Sequence, residues 1–187
     1  MPLKSKMLVI TKQSSVKKSN INNQKAAKMR RQRGYHWEDT IVKRFNGTPK
    51  WRAFRLGSPS IALPDVLAVN NENEELFTIE AKSGTSTSLP VPADQIERCL
   101  DWIETFGVYK KRNVLLAFKF LSKKRLGVGK YENRELREFF KIWDTSLEIT
   151  DCVCTYDGKI FAKSNGEKKE LFLKECLMPF KTKQRQI

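Results

Sequence analysis

Residues 64–82, PDVLAVNNENEELFTIEAK, predict an antiparallel β-hairpin from which the fold can be built outward. An apolar run over residues 66–69 is followed by a polar turn, and a second run begins at Leu76. Short apolar runs bounded by turn residues are typical of buried strands. Pairing these two strands brings the carboxylates of Asp65 and Glu80 close together.

The second strand of this hairpin carries a charged pair on one face. Successive side chains of a strand point to opposite faces, so residues two apart lie on the same side. One face holds Leu76, Thr78, Glu80 and Lys82, and the other holds Phe77, Ile79 and Ala81. Glu80 and Lys82 therefore point the same way, beside Asp65.

Two carboxylates and an ammonium in this arrangement suit metal-assisted hydrolysis of a phosphodiester. Carboxylate oxygens are hard ligands that Mg²⁺ prefers, and Asp65 and Glu80 are the candidates to hold it. Lys82 can orient or deprotonate the attacking water, or place positive charge beside the phosphate. The alternative is that Glu80 and Lys82 form an ordinary exposed ion pair, which contributes little to stability.

A helix before the hairpin supplies a third carboxylate. Between residues 34 and 45, Ile41, Val42 and Phe45 follow helical spacing, and Glu38 lies in line with them one turn earlier. An inward-facing charge needs a partner, which a metal site would provide. Otherwise Glu38 merely interacts favourably with the helix dipole.

These motifs together resemble the archaeal-type Holliday junction resolvases of the PD-(D/E)xK nuclease superfamily. The resemblance runs from about Arg33 to Leu121. It is carried by Gly34 with Glu38, Arg55, Gly57-Ser58, Asp65, Ile79-Glu80-Ala81-Lys82-Ser83, Phe106-Gly107 and Leu115-Leu116-Ala117-Phe118-Lys119-Phe120. It implies an α/β fold with a restriction-endonuclease-like core, in which a central mixed β-sheet is flanked by helices.

The resemblance also implies roles for individual residues. The metal ligands are Glu38, Asp65, Glu80 and the backbone carbonyl of Ala81, with Lys82 and Ser58 also catalytic; contacts to DNA come from Arg33, Arg55, Ser60 and Lys119. Trp102 and Phe106 are candidates for a dimer interface, although both fit the core. Two departures stand out: the residue after the helix glutamate is Asp39 rather than a basic residue, and a long segment before Asp65 leaves both Ser58 and Ser60 open for the serine role.

Charge divides the chain into an arm, a nuclease domain and a tail. The formal net charge is +15, and ten of the 36 basic residues lie at positions 4–33, where acidic residues are absent. We therefore expect a basic, disordered or partly helical arm over residues 1–33, a nuclease domain over 34–180 and a basic tail over 181–187. The arm should bind DNA phosphates without sequence preference, with contacts from Lys28, Arg30 and Arg31.

Export signals and membrane-spanning runs are not found in the sequence, so we expect a cytoplasmic, nucleoid-associated protein. The single histidine and the four cysteines, which lack a C-x-x-C pair, complete no common zinc set. A serine-histidine triad away from His36 is excluded as well. The catalytic chemistry therefore falls on carboxylates and lysine.

The remaining segments predict scaffold. Apolar spacing predicts a helix over residues 93–106, and β-rich composition predicts a strand over 113–121 in which Lys119 faces DNA and its phenylalanine neighbours face the core. Residues 134–143 fit either a helix or a strand. Asp-Gly and Asn-Gly turns in the last forty residues predict short strands on the same sheet.

The sequence thus predicts a Mg²⁺-dependent nuclease, with Mn²⁺ expected to substitute, that resolves four-way DNA junctions. One site per chain implies a homodimer, because resolution needs two symmetric cuts. Its expected partners are junction DNA and a second copy of the chain, with recombination or replication proteins as further candidates. The competing interpretations are a restriction or repair endonuclease of the same superfamily and a non-catalytic architectural DNA-binding protein.

Overall fold

The computed structural model describes residues 24, 27–29, 31–56, 62–164 and 167–182. The chain divides into two units, residues 1–33 and 34–187. In the first unit residues 24, 27–29 and 31–33 are helical, and most of the predicted arm lies outside the described residues. Among the described residues, every helix is too short or too polar to cross a membrane.

The second unit begins with helix α1 over residues 34–46 and continues with strands, a second helix and more strands. The elements after α1 are β1 Arg52–Arg55, β2 Val66–Asn70, β3 Glu75–Gly84, β4 Ser88–Val91, α2 Ala93–Thr105, β5 Lys111–Phe120, β6 Lys123–Gly127, β7 Lys130–Asn133, β8 Arg137–Ile142, β9 Cys152–Thr155, β10 Ile160–Ser164 and β11 Glu167–Leu171.

A five-stranded mixed sheet in the order β1-β2-β3-β5-β8 forms the centre of the unit. The predicted hairpin is confirmed: β2 and β3 pair antiparallel, with Val66 opposite Ile79. The pairing of β3 with β5 is parallel, and the other pairings in this sheet are antiparallel. The predicted central mixed sheet is confirmed.

Each face of the central sheet is covered by one helix. On one face, Trp37, Ile41 and Phe45 of α1 pack in a cluster with side chains of β3, including Phe77 and Ile79. On the other face, α2 packs through Ile96, Cys99 and Ile103 against a cluster that includes Leu76 and Leu116. The alternation predicted for β3 is confirmed, because its odd and even positions lie in different clusters.

A second sheet corrects one prediction. The last strands do not join the central sheet; they form a four-stranded sheet in the order β11-β10-β9-β4. The edge of the central sheet beside β8 is already covered, since Ile142 N–H donates to the Lys174 carbonyl and Cys176 N–H to the Phe140 carbonyl. Of the late strands, β9 pairs with β4, which follows β3 directly, and β10 and β11 extend this sheet from β9.

Residues 134–143, for which helix and strand were both open, contain strand β8. Its side chains meet both helical layers, because Phe139 packs with the α2 cluster and Phe140 lies in the α1 cluster. Charged and apolar residues occur on both faces of this strand, so it shows no clean two-residue alternation, and its apolar residues also fit helical spacing. Strand β1 and the two-stranded sheet β6-β7 were not predicted.

Candidate active site

The carboxyl end of β3 brings the predicted hairpin residues together. Asp65 lies just before β2, and its Oδ2 accepts a hydrogen bond of 2.8 Å from the N–H of Ala81. This bond holds the Asp65 side chain beside Glu80, the residue that precedes Ala81. The predicted proximity of the two carboxylates is a direct result of the β2–β3 register.

Glu80 is buried and contacts two cations. Its side chain is 1% exposed; Oε1 accepts from the Nζ of Lys82 at 2.6 Å, and Oε2 accepts from a guanidinium nitrogen of Arg98 at 3.2 Å. The alternative of an exposed surface pair is therefore excluded for Glu80. Lys82 remains 22% exposed, so its ammonium lies between the buried carboxylate and the surface.

Arg98 is a site residue that sequence reasoning missed. It lies on α2, which is fixed to β3 where the Thr78 hydroxyl donates to the Cys99 carbonyl at 2.9 Å. That contact places the neighbouring Arg98 over Glu80, two residues along the same strand face. Nothing in the sequence distinguishes Arg98 from a solvated helix charge, because its target is set by packing of α2 on the sheet.

Glu38 enters the site from α1. It is 6% exposed, and its Oε2 is buried without a hydrogen-bond partner among the described residues. Burial raises the pKa of Glu38 to about 7, and the nearby charges of Asp65 and Glu80 add to the effect. The inward-facing carboxylate predicted from the helical spacing is present, near enough to Asp65 and Glu80 for their charges to affect its pKa.

Burial also raises the pKa of Glu80 to about 7. Lys82 and Arg98 oppose this shift because a positive charge favours the carboxylate, whereas Asp65 adds to it. Glu38 and Glu80 thus both have raised pKa values, mainly because they are buried, and both lie near the charge of Asp65. Perturbed acids of this kind are concentrated at functional sites.

The donor set fits a divalent cation. Hard carboxylate oxygens are the ligands of Mg²⁺, and the buried Glu38 Oε2 has no other partner within the described ranges. In residues 31–56, 62–164 and 167–182, however, no three acidic, histidine or cysteine side chains converge closely enough to bind a metal. Both carboxylate oxygens of Glu80 already accept hydrogen bonds, one from Lys82 and one from Arg98. A metal at this position would compete with one of these two cations for Glu80.

Arg55 is the last residue of β1. It pairs across the sheet with Val66, one residue from Asp65, and the alternating pattern of β1 is too short to be recognised in sequence. Its guanidinium is 3.5 Å from Asp39 and lies over the ring of Tyr35. Asp39, which departs from the basic residue of the family pattern, thus orients Arg55 at the mouth of the site.

Lys119 lies on the α1 face of β5, opposite Ser83 of β3. Its side chain is 12% exposed, with Nζ 3.7 Å from Glu138 and 4.8 Å from the centre of the Trp37 ring. Phe118 and Phe120 face the opposite cluster, as predicted. A contact between Lys119 and DNA stays a prediction, because the ammonium is held by a buried glutamate.

The other predicted residues are distributed as follows. The indole N–H of Trp102 donates to the Ala62 carbonyl at 2.9 Å, and its ring is 5.9 Å from that of Phe106. Both rings lie along α2 and are half-buried, which leaves the predicted dimer interface open. Lys28, Arg31 and Arg33 belong to the first unit; Ser58, Ser60 and Arg30 lie outside the described residues.

The sequence model of the archaeal Holliday junction resolvase (hjc) family matches residues 29–155. Among solved structures, Hjc of Archaeoglobus fulgidus, a Holliday junction resolvase from an archaeal hyperthermophile, is 20% identical over 57% of this chain and 71% of that chain, with a TM-score of 0.40. No curated protein matches the chain.

Proposed function

Because the chain belongs to the archaeal Holliday junction resolvase (hjc) family, we propose that it cuts four-way DNA junctions by Mg²⁺-dependent, paired symmetric nicks. The observation that carries the proposal is the buried cluster of Glu38, Asp65 and Glu80 beside Lys82. A stable fold alone does not favour two buried glutamates with pKa values near 7. A nuclease uses such a cluster to bind a metal.

The three carboxylates and the Ala81 carbonyl are the proposed metal ligands. Bound there, Mg²⁺, or Mn²⁺ in its place, supplies a Lewis acid that offsets the charge developing on the phosphoryl group. The chain's own residues set up this chemistry. Asp65 is oriented by the N–H of Ala81, and Glu38 has a free buried oxygen toward the cluster.

Lys82 is the proposed group for the attacking water. Its ammonium reaches Glu80 and is still partly exposed, so it can contact water or a phosphate at the surface. If Glu80 held a metal, its contact with Lys82 would weaken, and the Lys82 ammonium could then donate to water or a phosphate. Arg98 stays beside Glu80 and favours its ionised form, because a guanidinium is always charged; it thereby opposes the rise in the pKa of Glu80 that burial causes.

Two cuts per junction require two sites, and a two-fold homodimer supplies them in the corresponding geometry. We propose Trp102 and Phe106 for the interface, and residues 1–33 for sequence-independent contacts with DNA phosphates. Arg55, with Ser58 or Ser60, is proposed to contact the scissile phosphate or its neighbours. The protein then acts where DNA is, at the nucleoid.

The proposal is tested with an immobile four-way junction and a linear duplex of the same sequence. Wild-type protein with Mg²⁺ should introduce paired nicks in opposing strands of the junction and leave ligatable duplex products, while it cuts the linear duplex far more slowly. In mixed dimers with one Glu80→Gln subunit, a supercoiled cruciform should be nicked once and released unresolved. Equal cutting of branched and linear DNA would point to a general endonuclease instead.

A further inference from the structure

The β6-β7 hairpin is separate from both larger sheets and is strongly basic. It lies between β5 and β8 in sequence and forms a two-stranded antiparallel sheet of its own. Between positions 123 and 133 it carries four basic residues and one acidic residue, in the order Lys123, Lys124, Arg125, Lys130 and Glu132. The proposed function described so far uses none of them.

The base of the hairpin is fixed to the central sheet by Arg134. Its backbone N–H donates to the Ser122 carbonyl at 2.7 Å, and its guanidinium donates to the carbonyls of Leu121 at 2.8 Å and Ser86 at 2.9 Å. The guanidinium also lies over the Tyr156 ring, 4.5 Å from its centre. An isolated two-stranded hairpin is marginally stable, so these contacts set its direction.

The hairpin starts at the end of the sheet that carries the candidate active site. Leu121 N–H donates to the Gly84 carbonyl at 2.9 Å, and Arg125 N–H donates to the Thr85 carbonyl at 3.0 Å. Gly84 is the last residue of β3 and follows Lys82 by two positions. The first strand of the hairpin is therefore bonded directly to the continuation of the strand that carries Glu80 and Lys82.

The surface of the hairpin combines free cations with an apolar tip. Lys123 and Lys130 are exposed and form no ion pair with any described residue, whereas Lys124 is 3.6 Å from Glu132. At the tip, Leu126 is 59% exposed and Val128 is 93% exposed. These aliphatic side chains lower solubility and add nothing to the core. Exposed apolar surface of this kind indicates a binding site for another molecule.

Duplex DNA is the partner that fits both features. A two-stranded β-ribbon enters the major groove, where lysines on its edges reach the phosphates and apolar side chains contact base edges or thymine methyl groups. An acidic protein surface would also be attracted to the lysines of the hairpin. Such a partner would not explain why the hairpin lies beside the candidate active site. The charge and the location favour DNA.

We propose that the β6-β7 hairpin is a DNA-binding arm that seats one duplex arm of the junction next to Lys82. The proposal rests on the proposed function in one respect only, that the substrate is branched duplex DNA. Lys123 and Lys130 contact phosphates, and the tip at Leu126 and Val128 lies in the groove. The hairpin thereby adds a binding surface continuous with the active site.

The first test is the double variant Lys123→Gln/Lys130→Gln, compared with Lys168→Gln/Lys169→Gln on β11. The control changes the charge equally on exposed residues of the strand that is farthest from β4 in the second sheet. Affinity for an immobile four-way junction is measured in Ca²⁺ between about 50 and about 200 mM salt. Two lost phosphate contacts lower the log–log salt slope by about 1.8, so the wild type should lose about twelve-fold more affinity over this range than the variant.

The second test separates the tip from the charges. Leu126→Ser/Val128→Ser should weaken junction binding roughly five-fold with an unchanged salt slope, because apolar contacts release no counterions. In a third variant a short Gly-containing turn replaces residues 123–133; Ser122 and Arg134 are already hydrogen-bonded, so the gap can close. This variant should show both losses while its thermal melting confirms folding.

Binding equal to that of the β11 control, for both the charge and the turn variants, would overturn the proposal. A protein partner for the hairpin would give this result. Failure of the proposed function has a different signature: the wild type would bind DNA with a hairpin-dependent salt slope but would not cut junctions in Mg²⁺. Junction cutting that does not depend on the hairpin would instead support the proposed function and overturn the role of the hairpin.

Discussion

Two buried glutamates of the central sheet, Glu80 and Glu138, show how similar pairing supports different roles. Each is at most 1% exposed and each contacts two cations. Glu80 on β3 is held by Lys82 and Arg98. Glu138 on β8 lies directly across the strand pair from Lys119 and accepts two hydrogen bonds from Arg44, at 2.7 and 3.0 Å.

The surroundings of the two glutamates differ. Around Glu138 the charges are enclosed by an aromatic ring, since Arg44 and Lys119 lie 5.6 and 4.8 Å from the centre of Trp37. Around Glu80 there are further carboxylates, and its pKa is raised to about 7. These further carboxylates are the basis of the metal site proposed at Glu80, whereas Glu138 is paired with Arg44 and Lys119 and joins α1 to the sheet.

The comparison predicts its largest effect for Glu80→Gln. This change removes a proposed metal ligand, so junction cutting should fall by about a thousand-fold or more, in the range seen when an electrostatic catalytic group is lost. Junction binding in Ca²⁺ should stay within a factor of a few, because affinity comes mainly from phosphate contacts. Single-turnover cleavage and a gel shift measure the two quantities; near-wild-type cutting would remove Glu80 from the site.

Glu138→Gln should act on stability instead. Removal of one partner from a buried ion pair costs about 3 kcal/mol, because Arg44 and Lys119 keep their charges without the carboxylate. For a chain of this size the melting temperature should fall by roughly 6–12 °C. The control is Glu135→Gln, whose side chain is 57% exposed and whose pair with Arg137 is worth little. A Glu138→Gln protein that kept the wild-type melting temperature but no longer cut junctions would contradict this assignment. Glu138 would then act in cutting, as proposed for Glu80, and not in stability.

Arg98→Ala should give a smaller effect on cutting, about ten- to a hundred-fold, as for residues that orient a metal ligand. Arg98 lowers the pKa of Glu80, so its removal raises that pKa further. Cutting needs ionised Glu80 and rises with pH, so the midpoint of the pH–rate profile should move to higher pH. In Arg98→Lys, which keeps a positive charge, the midpoint of the pH–rate profile should shift less than in Arg98→Ala. A lower rate with an unshifted midpoint would make Arg98 a packing residue only.

The smallest effect is expected for Glu38→Gln, on the pH dependence of stability. The folded pKa of about 7 lies above the unfolded value near 4.5, so the folded state holds the proton more tightly. The resulting stability is present below about pH 4.5 and is lost as pH rises through 7. At pH 8 the variant should be more stable than the wild type by roughly 1–2 kcal/mol, and its stability should change less with pH.

Chemical denaturation at pH 5 and pH 8, with and without Mg²⁺, measures this difference. A ligand that binds only the folded state stabilises it, so Mg²⁺ should raise the stability of the wild type at pH 8 and that of Glu38→Gln less. Equal pH slopes for the two proteins would mean that Glu38 is not the buried acid that titrates near neutrality. Glu97→Gln, exposed on α2, is the matched control.

Local pattern was enough to predict the parts of the fold that lie close in sequence. The β2–β3 hairpin and the apolar stripes of both helices follow from alternation and helical spacing alone. The proximity of Asp65 and Glu80 follows from the same hairpin. Glu38 required one further step, the argument that a charge in an apolar stripe must face a partner.

Contacts made by packing could not be predicted. Arg98 reaches Glu80 because α2 crosses β3, and Arg44 reaches Glu138 across 94 positions in sequence. In sequence both arginines resemble solvated helix charges. The second sheet was missed for a related reason: an Asp-Gly turn predicts a hairpin but says nothing about which sheet the hairpin joins.

The pairing of β4 with β9 has a consequence for synthesis on the ribosome. Ser88–Val91 finds its antiparallel partner only in Cys152–Thr155, roughly sixty residues later, so at ordinary elongation rates about 3–13 s pass before the partner is made. Over that interval the nascent chain presents an unpaired strand edge next to the segment that carries Glu80, and such edges pair with other chains. Slow translation after Val91 should therefore lower the yield of folded protein more than an equal delay after Thr155.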